Sequence, residues 1–170
     1  MPTLSLFEKI PAHNRQQNAY ALRRFIEDSV GDLQLDITFQ DPDGEGRISI
    51  EAAGEDTQVL KSFLQKNFGL LPKSIRPGKI FRTYVTDIDE TKEEMRLEVG
   101  VSKSPLVLPG LLFQKALGTS SVHFSTLTSS FCLQPNFPIE VSVRELGKDN
   151  AVASLSRAQR AIFLQWSADL

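Results

Sequence analysis

The first seventy residues of the sequence show both the period of strands and the period of helices. Leu4 and Leu6 alternate with polar neighbours, which predicts a short opening strand. Apolar residues within 15–30 recur at helical spacing and predict a helix with one apolar stripe. Asn14 is suited to cap the start of this helix, and Gly31 is suited to its end. The stripe consists of Leu22, Phe25, Ile26 and Val30.

Two further strands and a second helix complete this module. Residues 33–40 alternate between apolar and polar side chains, residues 48–52 repeat the pattern, and the turn 41–46 joins them as a hairpin. A second helix is predicted to end at Gly69, and its apolar stripe consists of Val59, Leu60, Phe63, Leu64 and Phe68. The order βαββα predicts a sandwich over residues 1–70, in which two helices cover one face of an antiparallel sheet. Its expected core contains Leu22, Phe25, Ile37, Ile50, Leu60 and Phe63.

The turn 41–46 has the sequence Asp-Pro-Asp-Gly-Glu-Gly, which is similar to the start of a calcium-binding loop. A calcium loop continues to a terminal glutamate that is missing here. Proline, glycine and aspartate also form ordinary turns. We therefore interpret this segment as a turn.

A second module is predicted to begin near Leu71, where Pro72 and Pro77 mark a change of pattern. Short alternating segments with one polar face follow, and they predict a small five-stranded β-barrel over residues 71–156, which makes the fold class α+β. The most regular of these segments are residues 79–88, 95–101, 139–143 and 151–155. The expected barrel core contains Val85, Leu97, Val99, Val141 and Val143.

Residues 157–170 are expected to form a C-terminal helix. Residues 156–159 read Ser-Arg-Ala-Gln, the form of a capping box, in which Ser156 and Gln159 satisfy each other's backbone N–H groups. A helix this short is marginal alone in water, so its apolar stripe must be buried. We expect it to pack on the chain's own modules. The stripe consists of Ile162, Phe163 and Trp166.

The composition is that of a globular protein, with 41% hydrophobic and 24% charged residues. A formal net charge of −2 excludes a uniformly basic surface, so nucleic-acid binding requires a local patch. The single cysteine, Cys132, excludes an internal disulfide and fits a reducing compartment. The start lacks a basic leader, and the most apolar run, residues 105–113, is too short to cross a membrane. We expect a soluble, cytoplasmic protein with no membrane contact.

Residues that carry catalytic or metal chemistry are sparse. His13, His123 and Cys132 have no metal-ligand spacing, and the sequence contains no phosphate-binding glycine loop and no nucleophile elbow. Cys132 follows an apolar stretch and is interpreted as a buried structural thiol. The acidic turn 87–94 is interpreted as a solvated hairpin tip rather than a cation site. The sequence therefore predicts no cofactor, no metal site and no enzymatic activity.

Four segments of the second module carry a resemblance: residues 77–85, which begin Pro-Gly-Lys-Ile-Phe, residues 97–100, residues 137–143 and residues 151–156. In this order they resemble the S-one domain, an OB-fold barrel that binds RNA and is named for a ribosomal protein. The resemblance implies that the second module is an S-one-like barrel.

The resemblance extends over nearly the whole chain when Gly-Asp-Leu at 31–33 and Phe-Gly at 68–69 are included. The chain then looks like a member of an archaeal family known as domain of unknown function number twenty-one-ten. Members of that family continue past a tryptophan like Trp166, whereas this chain stops at Leu170. This difference indicates either a truncated chain or a short member.

S-one domains carry aromatic side chains on the second strand, where bases stack, and the matching positions here are Glu93 and Arg96. An arginine plane can stack on a base, but a glutamate repels the phosphate backbone. The His-x-Ser motif of the family matches either His-Phe-Ser at 123–125 or, by spacing, the segment 106–109. We favour the second alignment, which weakens the case for RNA binding. It predicts helical insertions at residues 110–117 and 121–131.

A local basic strip lies between Gly69 and Val85, where four cations occur without an acid and Phe81 and Tyr84 are interleaved. Such a strip is typical of proteins that bind single-stranded nucleic acid. A solvated edge of a β-strand with two core aromatics explains it equally well. The candidate nucleic-acid-binding residues are Lys73, Arg76, Lys79, Arg82, Tyr84 and Arg96.

Two functions are compatible with these observations. The first hypothesis is a non-catalytic RNA-binding module that contacts single-stranded RNA through the barrel face bearing Arg82, Tyr84 and Arg96. The alternative is a protein–protein interaction module that has kept the barrel and lost the nucleic-acid face. The sequence does not predict the oligomeric state.

Overall fold

A computed structural model describes residues 2–100 and 105–168 of the chain, which divides into two units between Leu71 and Pro72. The first unit has the strand and helix order predicted from the sequence. Its elements are β1 (Thr3–Ser5), α1 (Arg15–Val30), β2 (Leu35–Phe39), β3 (Ser49–Gly54) and α2 (Thr57–Asn67). The three strands form an antiparallel sheet in the order β1-β3-β2, so that β3 is central.

The core of the first unit contains residues of both helices and of the central strand, among them Ile26, Ile50 and Leu60. The predicted core is wrong for Phe25, whose side chain is 53% exposed. Successive helix residues point about 100° apart, and α1 turns Ile26 towards the sheet. The Phe25 ring instead contacts Phe63 at a centroid distance of 6.4 Å. The other predicted members are buried or half-buried in this core, namely Leu22, Ile37, Ile50, Leu60 and Phe63.

Asn14 and Gly31 occupy the predicted cap positions of α1, but neither caps the helix in the predicted way. Asn14 has left-handed backbone angles (φ 55°) and makes no side-chain cap hydrogen bond. Gly31 has right-handed helical angles (φ −60°), so glycine is not required there by its conformation. The predicted residue range of the helix is nevertheless that observed.

The carboxylates of the turn 41–46 are engaged by neighbouring groups. The Asp43 carboxylate accepts the backbone N–H groups of Glu45 and Arg47, at 2.9 and 2.8 Å. Asp41 pairs with Arg23 at 2.8 Å. Glu45 pairs with Arg47. These contacts are those of a turn held by its own side chains, as predicted.

The second unit contains a closed five-stranded barrel, which confirms that prediction. Its strands are β4 (Ile80–Asp89), β5 (Glu94–Glu98), β6 (Leu106–Pro109), β7 (Pro138–Leu146) and β8 (Ala151–Leu155). The neighbour order is β4-β5-β6-β8-β7, and β7 pairs back with β4 to close the barrel. Only β6 and β8 pair in parallel among these neighbours. Val101, predicted to continue the second barrel strand, lies outside the described residues.

Two helices, α3 (Gly110–Leu117) and α4 (Phe124–Ser130), lie between β6 and β7 in the chain. The third barrel strand therefore begins at Leu106, as the favoured alignment predicted, and His123 flanks the start of α4 instead of lying in a strand. Glycine is required at position 110, because a Cβ atom there would lie 2.8 Å from the Phe124 ring and 2.7 Å from the Glu93 carbonyl oxygen.

All five predicted barrel-core residues are buried in one hydrophobic cluster: Val85, Leu97, Val99, Val141 and Val143. Helix residues complete this cluster. The rings of Phe113, Phe131 and Phe163 pack together, with centroid distances between 4.9 and 6.3 Å. Each such aromatic pair adds roughly 0.5–1.5 kcal/mol beyond the burial of its area.

The C-terminal helix α5 (Arg157–Ala168) packs on its own unit through Phe163, as predicted. The predicted stripe is only partly buried, because Ile162 and Trp166 are 42% and 43% exposed. The capping box is half correct. Ser156 Oγ accepts the Gln159 N–H, but the Gln159 side chain accepts the N–H of Glu140 and not that of Ser156.

The interpretation of Cys132 as a buried thiol is wrong, because its side chain is exposed. Cys132 follows α4 and has a positive φ of 52°, while the preceding Phe131 enters the core. The left-handed residue turns the chain, so that the two adjacent side chains point in different directions. No helix in the described parts of the chain is long and apolar enough to span a membrane.

Candidate nucleic-acid interface

Three of the six candidate residues precede the barrel. Lys73, Arg76 and Lys79 are all exposed on the segment that leads into β4. The Lys79 N–H donates to the Arg76 carbonyl at 3.3 Å and closes a turn through Gly78, whose φ is 75°. The Gly78 N–H donates to Val143 O at 2.8 Å, and the Val143 N–H donates to Lys79 O at 3.0 Å. Gly78 and Lys79, at the end of this segment, are therefore bonded to β7.

Arg82 and Tyr84 lie on β4 and alternate with the inward residues Thr83 and Val85, both of which are fully buried. Thr83 can face the core because its hydroxyl donates to Ile139 O at 2.7 Å. Arg82 is consequently exposed and Tyr84 is half-buried on the outer surface. The two-residue period of the strand places them on the same face, as the sequence predicted.

The strand register brings carboxylates next to these two residues. Arg82 lies directly opposite Glu140 on β7. Tyr84 lies opposite Glu98 on β5 and opposite Pro138 on β7. Directly opposed residues of antiparallel strands have Cβ atoms about 4.5–5.5 Å apart, so both acids belong to the same surface. This part of the candidate face is of mixed charge.

Arg96 lies on the outer side of β5, opposite Asp87. Its guanidinium group forms ion pairs with Asp89 at 3.8 Å and with Glu94 at 3.7 Å. These pairs are partly exposed, so they add little to the stability of the fold. They offset the positive charge that the sequence alone assigned to this position.

The structure adds a cation that the sequence reasoning missed. Arg144 lies on β7 directly after Val143, which is bonded to the backbone of Gly78 and Lys79. Its Nε donates to Ser154 Oγ at 2.9 Å, which orients the side chain over β8. The alternation of residues 139–144 already predicted an outward Arg144, but only the pairing of β4 with β7 places it near Lys79.

The two ends of the barrel differ in charge. The end at which β4 begins and β7 finishes carries Lys79 and Arg144 beside one exposed acid, Glu145, and we refer to Lys79, Arg144 and Arg82 as the basic end. The opposite end contains the β4–β5 hairpin, residues 87–94, with its acids. A polyanion is attracted to the first end and repelled by the second.

The described residues contain no group of three or more His, Cys, Asp or Glu side chains placed to hold a metal ion. What the surface offers is positive charge beside a half-buried tyrosine ring. This combination serves phosphate contact and base stacking. Comparison with protein-family models finds no match for the chain, and comparison with curated proteins finds no significant match.

Proposed function

We propose that the second unit is an OB-type barrel that binds single-stranded RNA without catalysing a reaction. The strand order supports the fold assignment, because β7, β4, β5 and β6 are neighbours in that order. Three consecutive strands with a fourth returning beside the first define a Greek key. A five-stranded Greek-key barrel is the OB architecture, which commonly binds oligonucleotides.

The basic end is the observation that carries the proposal. Arg82 and Arg144 lie on the paired strands β4 and β7, four residues apart in register, and Lys79 directly precedes β4 and is bonded to Val143, the neighbour of Arg144. Lys73 and Arg76 extend the charge along the preceding segment. Phosphate contacts supply most of the affinity in sequence-independent binding, and a local group of cations can provide them.

Tyr84 has a separate role in this proposal. Glu98 and Glu140 repel phosphates near it, so the backbone is expected to follow the basic end while a base reaches the tyrosine ring. Stacking of a base on an aromatic ring contributes about 1–3 kcal/mol. The contribution of Arg96 is reduced, because Asp89 and Glu94 offset its charge.

Three further parts of the proposal concern the chain as a whole. We place it in the archaeal family that it resembles and in the cytoplasm, and we assign it no cofactor. In the first unit, the two helices cover one face of the sheet as a sandwich, which agrees with the shared core of helix and strand residues.

A protein partner is the second candidate, and the mixed charge of the outer face favours it. Arg96 is already paired, and Glu98 and Glu140 flank Tyr84 and Arg82. Surfaces that interleave both signs around an aromatic residue are suited to complementary protein surfaces.

Anisotropy of a fluorescently labelled single-stranded oligouridylate, titrated with the full chain across a salt series, distinguishes the two functions. We expect the double variant Lys79→Gln/Arg82→Gln to bind more weakly and to lower the salt slope by about 1.4, the value for two phosphate contacts on a single strand. The control Lys61→Gln/Lys66→Gln changes two exposed lysines of α2 and gives the chain the same net charge as the Lys79→Gln/Arg82→Gln variant.

Equal effects of the two double variants would contradict an interface at the basic end. Absence of binding by the unmodified chain at low salt would favour the protein partner.

A further inference from the structure

The three-stranded sheet of the first unit has an open edge at β2. The strand order β1-β3-β2 leaves β2 bonded to β3 on one side, and no strand of the described residues pairs with its other side. Proteins commonly protect such edges with lysine, proline or a bulge. The sequence of β2, Leu-Asp-Ile-Thr-Phe, contains no lysine or proline, and its pairing with β3 is regular over all five residues.

The direction of the backbone groups on this edge follows from one hydrogen bond. The Gln40 N–H donates to Ser49 O on the β3 side at 2.9 Å. Backbone groups along a strand alternate in direction, so the N–H and C=O groups of Asp36 and Thr38 also point towards β3. The N–H and C=O groups of Ile37 and Phe39 therefore point away from β3, towards the open edge.

The side chains of the same strand divide between the two faces of the sheet. Leu35, Ile37 and Phe39 are half-buried and pack against the core. Asp36 and Thr38 lie on the opposite face and are exposed. The edge thus presents an apolar row on one face and an acid with a hydroxyl on the other.

We propose that β2 pairs with β2 of a second copy of the chain, antiparallel and with the two-fold axis at Ile37. In an antiparallel pair the axis can pass through a hydrogen-bonded or a non-hydrogen-bonded pair of residues. An axis at Asp36 would oppose two carboxylates, and an axis at Thr38 would leave Leu35 and Asp36 without partners inside β2. An axis at Leu35 or Phe39 leaves most of the strand outside the pairing. With Ile37 at the centre, the whole strand is used.

This register is self-complementary. It places Ile37 opposite Ile37, Leu35 opposite Phe39 and Asp36 opposite Thr38 of the other copy. Apolar side chains meet on one face, and an acid meets a hydroxyl on the other, so no like charges are directly opposed. The result is one continuous six-stranded sheet across the two copies.

The contact is small, because it is formed by a strand of five residues. Interfaces of this size lie at the low end of those seen in specific complexes, so we expect a dimer whose population depends on concentration. The inference concerns the first unit and does not depend on RNA binding by the second.

Sedimentation equilibrium of the full chain over a range of concentrations tests the proposal. Thr38→Lys is expected to tighten dimerisation roughly three- to ten-fold, because two lysine–Asp36 pairs form across the axis. Thr38→Asp should weaken it by a similar factor, because it opposes two carboxylates to Asp36. Ile37→Pro should abolish it without unfolding the chain, since the N–H that it removes points away from β3.

Thr3 provides the matched control. It is exposed on the opposite edge strand, β1, and both Thr3 and Thr38 lie opposite Glu51 of β3. Thr3→Lys and Thr3→Asp therefore reproduce the contact with Glu51 and should leave dimerisation unchanged. A chain that stays monomeric at every concentration overturns the proposal, as do variants at positions 3 and 38 that behave alike.

Discussion

The Ser156 hydroxyl donates to Oε1 of Glu140 at 2.6 Å and accepts the backbone N–H of Gln159 at 3.0 Å. The Ser156 N–H in turn donates to the Glu140 carbonyl, and the Glu140 N–H donates to the Gln159 side chain. Three residues thus satisfy both backbone and side-chain groups at the point where β8 ends and α5 begins. This cluster attaches the C-terminal helix to β7.

We expect Ser156→Ala to lower the free energy of unfolding of the second unit by about 1–2 kcal/mol, because a helix cap is lost and a buried N–H is left without its acceptor. Denaturant titration followed by fluorescence of Trp166, the single tryptophan, measures this change. The control is Ser167→Ala, which removes an exposed hydroxyl from the same helix. Equal stabilities of the two variants would contradict the role of the cluster.

Phe163→Ala is expected to cost about 3–5 kcal/mol, because Phe163 is fully buried and touches the rings of Phe113 and Phe131. The neighbouring Ile162 is 42% exposed, and Ile162→Ala should cost about 1 kcal/mol or less. The midpoints of denaturant unfolding give both values. Similar losses for the two variants would show that α5 packs in another orientation.

Lys79 and Arg96 should differ in their contribution to RNA binding. Arg96→Gln removes a charge that Asp89 and Glu94 already offset, so we expect a smaller loss of affinity than for Lys79→Gln, which removes an exposed cation of the basic end. Anisotropy titrations of the two single variants at one salt concentration compare them directly. A larger loss of affinity for Arg96→Gln would indicate that the interface lies nearer to β5.

Cys132 should react with a thiol reagent in the native state, because its side chain is exposed. Absorbance of the released chromophore, followed before and after addition of denaturant, measures the reaction. Cys132→Ser provides the blank. Reaction only after unfolding would contradict the exposed position.

The barrel was predictable because its signals are local and repeated. Alternation identified β4, β5 and β7, and the favoured alignment predicted the helical insertion at residues 110–117, which is α3. The core valines followed from the same two-residue period. What alternation does not contain is the pairing order, so the closure of β4 against β7 required the structure.

The errors lie where burial depends on residues far apart in the sequence. Helical spacing gave Phe25 and Ile26 equal weight, but the sheet selects Ile26. A capping box is a local pattern, whereas the observed partner of Gln159 is Glu140, nineteen residues earlier. Apolar neighbours suggested that Cys132 is buried, but a left-handed turn exposes it.

The candidate interface was predictable only where it depends on the two-residue period of a strand. Strand period placed Arg82 and Tyr84 on the outer face, and the structure agrees. The ion pair of Arg96 with Asp89 depends on the register of the β4–β5 hairpin, and the acid opposite Arg82 depends on the pairing with β7. Charge counted along the sequence cannot show these two neighbours, whereas Glu94, the other partner of Arg96, lies two residues earlier on the same strand.

The parallel pairing of β6 with β8 has a consequence for the order in which the chain folds. Leu106 pairs with Ala151, and α3, α4 and β7 all lie between them in the chain. Bringing such distant segments together costs loop-closure entropy before any contact repays it. The β4–β5 hairpin can form early, whereas the β6–β8 seam closes late. Until then both strands expose unpaired backbone edges, so we expect this seam to be open to aggregation in a newly synthesised chain.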